Sequence, residues 1–137
     1  MALIVQKFGG SSVADRDRIF NVANIVKKTH DADMLQASGE EISIALLAMA
    51  LTEIGVQATS LTGWQAGFRT DRTYSSARIT RLDTERIESE LNRNRVVVVA
   101  GFQGLNRLDD ITTLGRGGSD TSAVAIAAAL RAERCQI

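Results

Sequence analysis

The stretch Thr112-Thr113-Leu114-Gly115-Arg116-Gly117-Gly118-Ser119-Asp120-Thr121-Ser122 decides the fold of this chain. It follows a β-branched run at 95–102 and precedes an alanine-rich run at 123–132, which predicts a strand, a glycine loop and a helix. Because glycine has no Cβ, this loop lets the backbone approach a ligand closely. The helix that follows directs its first amide groups and the positive end of its dipole toward the loop. We therefore predict an anion site at a helix N-terminus.

Three side chains of this stretch can take part in such a site. Ser119 or Asp120 can cap the helix, and the guanidinium of Arg116 suits a carboxylate or a phosphate. The loop matches neither GxGxxG nor GxxxxGK[ST], the two standard nucleotide motifs. From this stretch alone, an ordinary turn between a strand and a capped helix stays open as an alternative.

A second glycine turn follows the first apolar run, Ala2–Val5, in Gln6-Lys7-Phe8-Gly9-Gly10-Ser11-Ser12. Lys7 stands at the carboxyl end of the predicted strand, where open α/β sheets place their ligands. A solvated lysine is the alternative, but the glycines and serines beside it favour neutralisation of a phosphate. An amphipathic helix is predicted after this turn.

The segment Met34–Leu51 predicts a helix that Gly39 breaks or kinks. Glu40 and Glu41 would then stand at a helix N-terminus, where carboxylates are stabilising. The pattern alone favours two solvated glutamates there.

The remaining segments predict further short elements. We expect strands at 55–60, around 77–79 and at 96–100, a helix at 83–92 and an exposed hairpin at 105–111. The run at 96–100 is typical of a strand buried on both faces of a sheet. Cys135 stands where a last strand would begin, and we expect it to be a structural thiol. The alternation predicts an α/β domain with a mainly parallel sheet.

Composition limits the class of function. A length of 137 residues suits one domain, and 16 basic against 16 acidic residues argue against nucleic acid or an anionic membrane as the main partner. One cysteine excludes an internal disulfide and suits a reducing cytoplasm. We find no segment apolar for long enough to span a bilayer. The single histidine, His30, lies in a polar stretch, so we expect no metal site.

Five motifs, taken in order along the chain, resemble aspartate kinase, a member of the amino acid kinase superfamily. They are KFGGSS at 7–12, ASGE at 37–40, LTG at 61–63, VAGFQG at 99–104 and TTLGRGGSDT at 112–121. The resemblance implies a three-layer α/β/α sandwich with a mainly parallel sheet. It implies transfer of the ATP γ-phosphoryl group to the β-carboxylate of L-aspartate with Mg²⁺, the first step toward lysine, threonine and methionine. It also implies a cytoplasmic homo-oligomer.

The same resemblance implies roles for individual residues. Lys7 would hold the transferring phosphoryl group, with Gly9, Gly10 and Ser11 beside it. Asp120 would order Lys7 or the site around it.

On the other glycine loop, Gly117, Gly118 and Ser119 would lie near the phosphates. Arg116 would bind the α-carboxylate of L-aspartate. Glu40 would meet the substrate's ammonium group, and Ser38 belongs to the same substrate-binding motif.

Two departures from the family pattern matter. Around His30 the family has a hydrophobic strand and a Ser-Ala-Met-Gly loop that this sequence lacks, and beyond Ile137 it continues into a nucleotide-binding half and ACT domains. Tyr74 stands where relatives often carry His. We therefore expect residues 1–137 to be a partial catalytic domain that does not phosphorylate aspartate alone. The alternative is a non-catalytic module that binds anions or aspartate.

Overall fold

The computed structural model describes residues 3–6 and 30–137. The turn predicted at 7–12 and the helix predicted after it lie outside the described residues. The elements, in chain order, are β1 Ile4–Gln6, α1 His30–Glu53, β2 Ala58–Leu61, β3 Phe68–Thr70, β4 Ile79–Leu82, α2 Glu85–Leu91, β5 Val96–Val99, β6 Gln103–Leu105, β7 Ile111–Thr113, α3 Gly118–Ala129 and β8 Arg134–Gln136.

Within the described residues the strands form three sheets rather than one. β1 pairs with β8 and β2 with β5, both in parallel. The third sheet has the order β4-β3-β6-β7, in which the central pair β3–β6 is parallel and the two outer pairs are antiparallel. The predicted α/β class with mainly parallel strands is confirmed. The antiparallel pairs arise because short loops join β3 to β4 and β6 to β7, the latter being the predicted hairpin.

Strand β5 is less buried than its sequence predicted. Its four valines are half-buried or exposed, and Val96 is 44% exposed. The expectation of burial on both faces was wrong here because the described helices that contact β5, α1 and α2, do not cover its valines completely. A β-branched run is favourable in any strand that is covered on one side.

Helix α1 runs continuously through Gly39, so the predicted break at this residue is wrong. No proline interrupts the surrounding sequence, and one interior glycine costs only about 1 kcal/mol of helix stability. The tertiary contacts of α1 with β2 and β7 outweigh that cost. Glu40 and Glu41 therefore lie inside the helix and not at its N-terminus.

Helix α1 is apolar on two faces. Ala37, Ile44 and Ala48 are buried against the strands, whereas Ile42 and Met49 are more than 60% exposed. By length and composition, residues 33–53 could cross a membrane, which corrects the sequence-based expectation that no segment could. The helix nevertheless packs against β2 and β7 along its inner face.

The hydrophobic core lies where α2 and α3 meet β2 and β3. It is formed by Leu61, Ala66, Phe68, Ile87 and Ile126. This core fixes α3, and therefore the loop before α3, relative to the strands.

The last strand, β8, is exposed along its whole length. Cys135 is a free, exposed cysteine, and its expected structural role stays a prediction. A strand does form here over three residues, where the sequence predicted only the entry to one.

Candidate functional site

The glycine loop precedes α3, as the sequence predicted, but the strand directly before it is β7 and not the β-branched run that forms β5. Gly117 is the N-cap of α3 and has a φ of 77°, a left-handed conformation that glycine adopts without strain. Among the described residues no side chain caps the helix, so the predicted capping by Ser119 or Asp120 is wrong. These residues lie two and three positions after the N-cap, in the first turn of α3, because the loop closes through backbone hydrogen bonds from Gly118 N to Gly115 O and from Asp120 N to Gly117 O.

Close packing explains the second glycine of the pair. A Cβ on Gly118 would lie 2.6 Å from Cβ of Leu114 and 3.0 Å from Cδ2 of Phe102. The loop is further held by Leu114, whose amide donates to the carbonyl of Phe102 at 2.8 Å. Gly118 therefore serves the packing of α3 on the loop, while the phosphate contact that the resemblance implied stays a prediction.

The open side of the loop carries charge. Arg116 is exposed, and among the described residues no atom beyond the chain neighbours of Gly117 lies within 4 Å of the position that a Cβ on Gly117 would occupy. Asp120 is half-buried in the first turn of α3. An anion at this helix N-terminus would meet the Asp120 carboxylate as well as the positive end of the dipole, so it requires a cation beside it. Arg116 is such a cation, as Lys7 would be.

The two predicted substrate-binding residues on α1 differ in their surroundings. Glu40, the eleventh residue of α1, is half-buried. Ser38 is exposed, and its hydroxyl donates to the carbonyl of Met34 at 2.9 Å, one turn earlier in the same helix. In this structure the hydroxyl of Ser38 is thus hydrogen-bonded to the backbone of its own helix.

A buried carboxylate that the sequence analysis did not identify joins α1 to the glycine loop. Asp33 is fully buried, and its oxygens accept hydrogen bonds from the backbone amide of Thr113 at 2.9 Å and from the amide of Ser75 at 2.9 Å. The hydroxyl groups of Ser75 and Thr113 donate to the same carboxylate at 2.9 and 3.1 Å. Thr113 is the last residue of β7, so this bond lies directly before the glycine loop.

Gln103 makes a second buried link that sequence reasoning missed. Its side-chain oxygen accepts from the amide of Gly63 at 3.0 Å, and its side-chain nitrogen donates to the carbonyl of Ala37 at 3.1 Å. Ala37 directly precedes the Ser38-Gly39-Glu40 motif on α1. The one signal in the sequence was the position of a polar residue, Gln103, between Gly101 and Gly104 after the hydrophobic run at 96–100.

The segment between β3 and β4 carries two carboxylate interactions. The backbone amides of Thr73 and Arg78 donate to Asp71, and these bonds, led by that of Thr73, hold the pKa of Asp71 below its usual value against a smaller opposing effect of burial. Tyr74 donates to Asp110 at 2.8 Å, which raises the pKa of Tyr74. Both interactions order the segment that presents Ser75 to Asp33.

The other predicted glycine turn of the site is the one at 7–12. Lys7, Gly9, Gly10 and Ser11 lie outside the described residues. Within residues 3–6 and 30–137, no three His, Cys, Asp or Glu side chains are grouped in a way that could hold a metal ion.

The structure thus brings two of the predicted regions together and leaves the third undescribed. The glycine loop with Arg116 and the α1 segment with Glu40 are joined through Asp33 and Gln103, two residues that are almost completely buried.

Comparison with known proteins agrees with this arrangement. The chain is 48% identical over 171 aligned positions to an aspartokinase of Bacillus sp. strain MGA3, with all of this chain and 42% of the relative covered. It is 44% identical to aspartokinase 2 of Bacillus subtilis, over the same shares of the two chains. The chain thus spans about two fifths of the length of the curated relatives that it matches.

Solved structures show the same fold. The aspartate kinase of Synechocystis matches with a TM-score of 0.69 at 42% identity, over 98% of this chain and 27% of that one. Aspartokinase III of E. coli, solved with aspartate and ADP, matches with a TM-score of 0.71 at 26% identity, over 93% of this chain and 31% of that one. The model of the amino acid kinase family matches residues 27–137. The chain therefore belongs to the amino acid kinase family.

Proposed function

We propose that this chain is the N-terminal, aspartate-binding part of an aspartate kinase catalytic domain. One observation carries the proposal: a helix bearing Glu40 and a glycine loop bearing Arg116 are fastened together by the bond between Asp33 and Thr113. A carboxylate and a guanidinium on two joined elements suit the ammonium and α-carboxylate groups of an amino acid. The aspartokinase relatives favour L-aspartate as that amino acid.

The complete reaction would be transfer of the ATP γ-phosphoryl group to the β-carboxylate of L-aspartate, which opens synthesis of lysine, threonine and methionine. Phosphoryl transfer between two anions depends on positioning and positive charge. Lys7, ordered by Asp120, would supply that charge, and Gly9, Gly10, Ser11 and Ser119 would contact the phosphates.

The glycine loop suits a phosphate because, among the described residues, it is open at Gly117 and the exposed Arg116 supplies a positive charge. Mg²⁺ would arrive on the phosphates of ATP, since the described residues hold no group of three metal ligands. Bound Mg²⁺ would neutralise charge that develops on the phosphoryl group.

The chain alone is proposed to bind L-aspartate but not to phosphorylate it. It spans about two fifths of its curated relatives, and the 171 aligned positions exceed its 137 residues. The relatives therefore carry residues inside the aligned region that have no counterpart here, as the missing strand and loop near His30 would require. We also propose that the protein acts in the cytoplasm and as a homo-oligomer.

Isothermal titration calorimetry with L-aspartate and with L-isoasparagine, which lacks the α-carboxylate, tests the proposal. We expect L-aspartate to bind more tightly, and Arg116→Ala to weaken it by about 2–4 kcal/mol, or roughly 30- to 700-fold. Arg107→Ala, which removes an exposed arginine from the β6–β7 turn, is the control. Equal affinity for the two ligands, or an equal effect of the two substitutions, would refute the assignment of Arg116.

ATP with Mg²⁺ forms the second arm of the titration. We expect no detectable ATP binding and no turnover by the chain alone. Turnover of ATP with L-aspartate would show that the 137 residues are a complete enzyme.

A further inference from the structure

The side chain of Asp33 occupies an unusual position for an isolated carboxylate. It is the fourth residue of α1 and is fully buried. Burial of a carboxylate is costly unless hydrogen bonds replace its lost hydration. Here two backbone amides and two hydroxyl groups, all from Ser75 and Thr113, provide those bonds. Since neither donor residue belongs to α1, the carboxylate joins three separate parts of the chain.

The turn that reaches Asp33 is itself held in an unfavourable conformation. Ser75 has a φ of 59°, in the left-handed region that non-glycine residues rarely adopt. Its amide and its hydroxyl both donate to Asp33, and these bonds stabilise the turn in that conformation. Such strained residues are concentrated at functional sites.

The same turn lies against the glycine loop. A Cβ on Gly115 would lie 3.6 Å from both Cα and Cβ of Ser76, the residue after Ser75. Asp33 thus acts on the loop in two ways. It holds the backbone of Thr113 where the loop begins, and it holds the turn that contacts the loop at Gly115.

We propose that Asp33 is a positioning residue for the glycine loop and, through the loop, for Arg116. The inference rests on the proposed function, because it makes the orientation of Arg116 toward a substrate carboxylate depend on a residue on α1. Asp33 touches no substrate in this account. It fixes the distance between the helix that carries Glu40 and the loop that carries Arg116.

Hydrogen exchange on the 137-residue chain without ligand tests the positioning role directly. Asp33→Asn keeps the shape of the side chain but places an amide group against two backbone donors. We expect exchange within 115–118, where the amide of Gly118 donates to the carbonyl of Gly115, to rise at least about tenfold, with exchange at 97–99 in β5 unchanged. Asp83→Asn is the matched control: it alters a carboxylate that accepts from the amide of Glu85 at the start of α2. We expect no change at 115–118 in that variant.

Two results would overturn the positioning role. One is unchanged exchange at 115–118 in Asp33→Asn, and the other is an equal rise at 97–99, which would mean a general loss of stability. If Asp33→Asn does not fold, Thr113→Val decides, since it removes only the hydroxyl bond to Asp33. We expect about a threefold rise at 115–118 for that variant, and no rise would overturn the proposal.

Titration with L-aspartate and L-isoasparagine tests the connection to Arg116. We expect Asp33→Asn to reduce the preference for L-aspartate about tenfold, because the two ligands differ only at the group that Arg116 would bind. A loosened loop with an unchanged preference would overturn this connection. If the unsubstituted chain does not bind L-aspartate, the proposed function fails, while the exchange measurement still decides whether Asp33 positions the loop.

Discussion

The side-chain amide nitrogen of Gln103 donates a hydrogen bond of 3.1 Å to the backbone carbonyl of Ala37. An interior carbonyl of a helix normally accepts from the amide four residues later, and its second lone pair is then free for a bond of this kind. Because the other end of the Gln103 side chain accepts from Gly63, one side chain connects α1, β6 and the turn after β2.

Replacement of Gln103 should therefore destabilise the fold more than its size suggests. Gln103→Leu has a similar volume but leaves the buried amide of Gly63 without its acceptor, and we expect a loss of about 2–4 kcal/mol in the free energy of unfolding. Urea denaturation measures this loss. Gln65→Leu, at an exposed glutamine nearby, is the control, and a similar loss in both variants would contradict the prediction.

Replacement of Gly39, in contrast, should stabilise the fold. This residue lies inside α1, and in the part of the chain that the structure describes no atom outside its immediate helix neighbourhood lies within 4 Å of the place a Cβ would occupy. Gly39→Ala should therefore raise the free energy of unfolding by about 0.5–1 kcal/mol, because alanine loses less backbone entropy in a helix.

Ligand binding by the same variant separates stability from function. If a ligand approaches the backbone at Gly39, L-aspartate affinity will fall although the chain is more stable. A fall in stability would contradict the continuous helix described above.

Glu90 is another buried carboxylate, 1% exposed, with guanidinium nitrogens of Arg86 at 2.8 Å and Arg95 at 3.0 Å. The arginines are about half exposed and regain hydration when the partner is lost, so Glu90→Gln should cost about 1–3 kcal/mol of unfolding free energy. Glu85→Gln, at an exposed position of the same helix, should cost less than about 1 kcal/mol. Equal effects in chemical denaturation would show that the cluster around Glu90 adds nothing to stability.

Acid should remove one small contribution to stability. The amide of Thr73 is the main cause of the lowered pKa of Asp71, so the folded state binds this proton less readily than the unfolded state. The contribution is therefore complete above the unfolded pKa of about 4 and is lost as pH falls through the lower, folded pKa.

Thermal melts of the native chain and Asp71→Asn at pH values from 7 to 2.5 test this assignment. The difference in Tm should be constant at the upper end and shrink below about pH 4. A difference that does not change with pH would exclude the carboxylate charge as its cause.

The sequence predicted those features that depend on neighbouring residues. The α/β alternation, the glycine loop before α3 and the hairpin between β6 and β7 follow from local patterns, whereas strand β3 was not predicted. The break at Gly39 was predicted wrongly because the intrinsic preference of one residue competes with the packing of a whole helix.

The links that organise the site could not be predicted in the same way. Asp33 lies in a short polar stretch that predicts a solvated connection, and its burial depends on donors from Ser75 and Thr113. Such bonds between distant residues leave no periodic pattern. The role of the Asp33 carboxylate therefore follows from the three-dimensional arrangement of the strands and not from the local sequence.

The bond between Asp33 and Thr113 also sets an order of events during synthesis. The two residues are 80 positions apart. At a synthesis rate of about 5–20 residues per second, Thr113 is therefore added roughly 4–16 s after Asp33. During that time the inner face of α1, with Ala37 and Ile44, has no strand β7 to cover it. A nascent chain arrested before Thr113 should therefore expose this helix to proteases and chaperones, whereas one that has released α3 should not.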